Sequence, residues 1–220
     1  MKRETRLVLA WLVVLFALSM KFAMHARCAG SSDPQSTNDA VESWVRNNYE
    51  RVLDVIFQER CRPSKVTRWI VCVRIVPAHP DELEYSMSIE KRYGGAVFAR
   101  VTRPRAKSVH TQLSVGKKEH PRASVSKLAN LILVESQDGD KSRFPGVVGL
   151  ADEFEKMRFS PALPDEIIMD PTAYRFRVRS SSGEHMEVLL LGPGPAAPGQ
   201  PETLTGWAES LRSVLTGAFQ

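Results

Sequence analysis

Apolar residues recur along this chain in three distinct patterns, and each pattern predicts a different kind of element. An unbroken run comes first. Leu7 to Met20 (LVLAWLVVLFALSM) carries no charge and follows Lys2, Arg3 and Arg6. A positive segment leading into a short apolar run is the layout of a secretory signal peptide. As a helix the run would span about 21 Å, short of a ~30 Å hydrocarbon core. Residues 1–30 therefore read as a signal peptide or, with Lys21 snorkelling, as an uncleaved signal-anchor. Small residues permit a cut after Cys28 or after Gly30. Arg27, directly before Cys28, argues against a lipidation site. Residues 31–38 (SSDPQSTN) are polar and turn-rich and read as a tether, leaving 39–220 as one domain.

Helical spacing follows. Asp39 is placed to cap a helix, with Glu42 in capping-box position. Val41, Trp44, Val45, Tyr49, Val52, Leu53, Ile56 and Phe57 then fall on one face, predicting a helix to about Glu59. Next come strands. Trp69 to Val76 (WIVCVRIV) is nearly all apolar and β-branched, as a strand covered on both faces would be. Leu83, Tyr85, Met87 and Ile89 alternate with Glu82, Glu84, Ser86, Ser88 and Glu90, predicting a half-buried strand with an acidic outer face. Gly94-Gly95 makes the turn into a return strand over 96–103. Val109, Thr111, Leu113 and Val115 alternate in their turn and predict a fourth strand, completing a meander.

Pro121 opens a second helical pattern through Val125, Leu128, Ala129 and Ile132. Gln137-Asp138-Gly139-Asp140 reads as a turn, Leu150 to Met157 as a short helix, and 160–171 as a segment broken by prolines. A hairpin is the sharpest expectation. Pairing Val178 with Met186, Phe176 with Val188 and Tyr174 with Leu190 puts the apolar residues on one face. The same register sets Arg177 opposite Glu187 and Arg179 opposite His185, on a face expected to meet solvent or a partner. Ser181-Ser182-Gly183 remains as the loop, with glycine at a position that favours positive φ. Gly192 to Pro201 is a stiff linker. Leu204, Trp207, Ala208, Leu211, Val214, Leu215 and Ala218 predict a final helix. The fold class is α+β, an antiparallel sheet of meander plus C-terminal hairpin packed by an N-terminal and a C-terminal amphipathic helix.

Composition adds exclusions. With 220 residues, 43% hydrophobic, 13 Gly and 3 Cys, the chain is not disordered, collagen-like, a cysteine-dense scaffold or a multi-span membrane protein. The formal charge of +5 misleads. The leader holds five of the 30 basic residues and one of the 25 acidic ones, so the remainder stands at 25 against 24. Within it the charges segregate. Lys91 to Lys127 carries ten basic residues and only Glu119 as an acid. Arg100, Arg103, Arg105, Lys107, Lys117 and Lys118 are its anion-binding candidates, for phosphate, anionic lipid or an acidic protein partner. The bland reading of the same stretch is a solvated face. Only Tyr93 and Phe98 are interleaved, which argues against specific nucleic-acid binding.

The chemistry is sparse. Cys61 and Cys72 are the cysteines left after the leader, one at a helix end and one in the next strand, and an exported protein would pair them as a disulfide. No C-x-x-C, G-x-S-x-G, H-E-x-x-H, Walker-A or G-x-G-x-x-G pattern occurs, so the sequence calls for no metal and no cofactor. His79 lies in a proline-bounded loop with Asp81 and Glu82, where an imidazole beside carboxylates could act as a general base. Two functions follow. One is an exported binding or interaction module; the other is a hydrolase-like enzyme using His79, Asp81 and Glu82.

Overall fold

The computed structural model describes residues 34–57, 61–157, 172–192 and 203–219. The leader, the proline-broken segment 160–171 and the linker beyond Gly192 lie outside them. The chain divides into two units, Met1–Glu42 and Ser43–Gln220. The described part of the first is the opening of helix α1 (Pro34–Phe57), which begins five residues before Asp39, within the stretch read as tether.

The second unit is built on a six-stranded antiparallel sheet. Its strands are β1 (Thr67–Val76), β2 (Tyr85–Arg92), β3 (Val97–Pro104), β4 (Val134–Gly139), β5 (Thr172–Ser180) and β6 (His185–Gly192), in the order β4-β3-β2-β1-β5-β6. The fold is α+β, as the period shifts indicate. β1 sits near the centre and is buried along almost its whole length, which explains its continuous apolar run.

One face is dry. Trp69, Val71, Val73 and Ile75 of β1 join Met87, Ile89, Val101, Tyr174 and Phe176 there, under helices α4 (Val147–Lys156) and α5 (Leu204–Thr216). Trp207 is the keystone: fully buried, 4.9 Å from the Phe154 ring, its indole N–H donating to Leu150 O at 2.9 Å. Burying such a side chain with its N–H satisfied avoids the cost of an orphaned donor. The other face is polar and also covered, by the second half of α1 and by α2 (Val109–Glu119) and α3 (Val125–Ala129).

Three expectations are corrected. The outer face of the expected second strand is not a solvated acidic face, because Glu84, directly before β2, and Ser86 within it are buried beneath helices. Residues 109–115 form helix α2 rather than a strand. Val109 and Leu113, four apart, are the buried pair, and Ser108 caps the helix by accepting from Thr111 N. The fourth strand of the meander is instead Val134–Gly139, which absorbs most of the expected turn and pairs Arg100 with Asp138 and Thr102 with Ser136.

The hairpin has the expected register throughout, from Tyr174 with Leu190 to Arg179 with His185. Its arginine face is partly interior. Arg175 lies 3.3 Å from Glu50 on α1, and Arg177 lies 3.2 Å from Glu187. Gly183 holds φ +89°, and a Cβ built there would meet nothing within 4 Å. Replacement with Val therefore tests backbone strain alone. Gly183→Val should lower unfolding free energy by about 1–2 kcal/mol with an unchanged denaturant slope.

Candidate functional site

The polar face of the sheet is where side chains with unspent chemistry gather. Central polar positions there are fully engaged. Arg74, 2% exposed, lies 2.9 Å from Asp54 and 3.7 Å from Glu50, with the Phe57 ring beside it. Glu84 is 1% exposed and accepts from Val109 N at 2.7 Å, from His110 N at 3.2 Å and from the Tyr49 hydroxyl. A carboxylate from the residue directly before β2 thus closes the N-terminus of α2, where free N–H groups and the helix dipole favour a negative charge.

Burial, reinforced by the Glu84 carboxylate, pushes the Tyr49 phenol well above its ordinary pKa; burial and a hydrogen bond to Glu209 do the same for Tyr174. The unfolded chain ionises both near pH 10 while the folded chain does not. Their contribution to stability is therefore complete below pH 10 and declines above it, by about 1.4 kcal/mol per pH unit for each. Tyrosinate absorbance should show these two phenols ionising only with unfolding. Ionisation of Tyr49 or Tyr174 in the folded state near pH 10 would contradict this geometry.

Beside these engaged groups lies a cleft of about 140 Å³. Ile56 and Phe57, at the end of α1, form one wall. The floor consists of Cys72 of β1, Ser86 and Ser88 of β2, Arg100 and Thr102 of β3, and Val134 and Ser136 of β4. Arg100 stands apart from the other arginines described. Like one nitrogen of Arg74 and of Arg177, its Nε is shielded without a hydrogen-bond partner, but those two have ion pairs and Arg100 makes none among the described residues, Asp138 across the strands included. Ser86 and Ser88 likewise make no side-chain hydrogen bond among the described residues. Thr102 and Ser136 bond each other at 2.8 Å, leaving one of their hydroxyls free to donate. The cleft therefore offers several donors and one positive charge beside an apolar wall.

The six basic candidates do not form one patch. Arg100 alone lines the cleft. Arg103 points to the opposite face, 2.6 Å from Glu135 and stacked 4.1 Å from the Phe219 ring. Arg105 and Lys107 are exposed in the connection to α2. Lys117 sits 4.3 Å over the Trp44 ring and donates to Pro121 O at 2.5 Å; Lys118 is exposed.

His79, Asp81 and Glu82 are all exposed on the β1–β2 loop. Asp81 meets Thr111 at 3.5 Å, and Glu82 N donates to His79 O at 3.1 Å. No side-chain bond joins His79 to either carboxylate. The nearby hydroxyl of Ser108 is fully buried and donates to Pro80 O. Cys61 and Cys72 are paired as a disulfide with Cα atoms 5.9 Å apart, within the ordinary range, and pack with Ile70.

No family model, curated protein or solved structure matches this chain.

Sequence reasoning reached Arg100 among ten basic residues but missed the hydroxyls. Ser86 and Ser88 interrupt an otherwise acidic alternation on β2, and that interruption is the available signal.

Proposed function

We propose that the protein is an exported binding module whose ligand seat is the cleft between the end of α1 and strands β1 to β4. The observation supporting this is Arg100, which lines the cleft with no ion pair among the described residues, beside the Ser86 and Ser88 hydroxyls that make no side-chain hydrogen bond there. A buried donor without a partner costs free energy unless something else meets it. The hydrolase reading has less support, because His79 makes no side-chain bond to Asp81 or Glu82 and the nearby Ser108 hydroxyl is buried and engaged by Pro80 O. Export is favoured by the leader pattern and by a disulfide of the kind that oxidising compartments maintain. No helix among the described residues is long and apolar enough to cross a membrane.

A fragment screen by NMR on the folded protein tests the ligand seat. Shifts should concentrate at Ser86, Ser88, Arg100 and Phe57. Clustering at residues 77–82, or ester hydrolysis that disappears in His79→Ala, would favour catalysis. Processing is checked separately. The mature chain should begin near Ala29 or Ser31, whereas recovery only as full-length, membrane-extracted protein would identify a signal-anchor.

A further inference from the structure

Resting on the cleft as the ligand seat, we infer that its ligand is a small organic monocarboxylate, with the carboxylate on Arg100 and the apolar body against Phe57 and Ile56. Charge is the first argument. Arg100 is the one cation lining the cleft. Arg74, the neighbour of Ser86 across β1 and β2, is already met by Asp54 and Glu50. Asp138 stands directly opposite Arg100 on β4. The single positive charge of Arg100 can balance one ligand charge, and a dianion would add a second, unmet charge on the side of Asp138.

Donor geometry is the second argument. A guanidinium presents paired N–H groups that match a carboxylate, and Ser88, paired with Arg100 across the strands, places a hydroxyl on the same face of the cleft. Ser86 and one hydroxyl of the Thr102–Ser136 pair add donors for the remaining lone pairs. The wall is the third. Phe57, Ile56 and Val134 give an inorganic anion nothing to contact, whereas they would cover a ring or short aliphatic chain. A volume of about 140 Å³ is close to that of a protein cavity that admits benzene.

Benzoate is the probe, with benzamide as its neutral counterpart and inorganic phosphate as the anion without an apolar body. Titration of the full, oxidised chain followed by NMR should give saturable benzoate shifts at the cleft residues, with Kd at or below roughly 1 mM. Arg100→Gln should weaken binding at least about tenfold, the worth of one charge-assisted hydrogen bond. If that variant fails to fold, Ser88→Val provides the second test, since it removes a donor and fills the cleft, and should also abolish the shifts. Asp138→Asn should strengthen binding. Phosphate or benzamide binding as tightly as benzoate, or benzoate binding unchanged in Arg100→Gln, would overturn the monocarboxylate while keeping the seat. Absence of cleft shifts with all three probes would overturn both.

Discussion

Glu84→Ala should destabilise the protein by about 3–5 kcal/mol, a large share of the 5–15 kcal/mol typical of a domain. The substitution removes the shared acceptor of Val109 N, His110 N and the Tyr49 hydroxyl. Three donors then lose their partner under a covered face, each at a cost of about 1–3 kcal/mol where water cannot reach. The negative charge at the start of α2 disappears with it, and that electrostatic support is worth up to ~2 kcal/mol in a buried setting. Tyr49→Phe removes only one of the three bonds and should cost about 1 kcal/mol. The double variant should therefore be less destabilised than the two single losses added, since the bond is shared. Urea unfolding measures all three, and hydrogen exchange should show α2 losing protection first in Glu84→Ala. A Glu84→Ala protein within 1 kcal/mol of the parent would mean that α2 does not depend on this carboxylate.

The same residue explains where sequence reading fails. Val109, Thr111, Leu113 and Val115 satisfy a strand's alternation, while Val109 and Leu113 alone satisfy a helix. Local pattern leaves these two in balance. What tips it is the Glu84 carboxylate at the start of β2 and the Ser108 cap, and the first of these is in place only once β2 has folded beside the segment. β4 was hidden for a different reason. VESQDG is an edge strand with little apolar content, so its pairing with β3 leaves no hydrophobic alternation to read. By contrast β1 and the hairpin were legible because their core-facing residues carry the whole pattern. A one-residue slip in the hairpin would set Phe176 against Glu187, which the buried face does not tolerate.

The candidate site was legible only in part. Ten basic residues between Lys91 and Lys127 are equivalent in sequence, and strand alternation decides among them. Arg100 and Thr102 face the helices of the polar side, while Arg103 turns to the opposite side and finds Glu135 and Phe219. The basic stretch is thus divided between two faces of the sheet, which weakens a polyanion surface and leaves one arginine in a recess. A single recessed charge selects small ligands, whereas a broad array would favour polymers and membranes.

Reduction of Cys61–Cys72 should lower unfolding free energy by about 3 kcal/mol in the chain-entropy model, given the sequence separation of 11. For a domain of this size that corresponds to a fall in Tm of roughly 6–12 °C. The bond also does local work. Cys72 lies in the floor of the cleft, and Cys61 holds the chain four residues beyond Phe57, the apolar wall. Untying Cys61 frees the end of α1 from β1 and leaves Phe57 held by packing alone, so benzoate affinity should fall together with stability. The Cys61→Ala/Cys72→Ala variant should reproduce both effects without reductant and should be insensitive to reductant. Peptide mapping after alkylation supplies the independent check. The unreduced, denatured chain should carry no adduct at Cys61 or Cys72, and adducts at both would mean that the cysteines are separate buried thiols. A lowered Tm with unchanged benzoate binding would keep the disulfide as a staple and show that the cleft wall is held by the α1–sheet contacts at Arg74, Asp54 and Phe57.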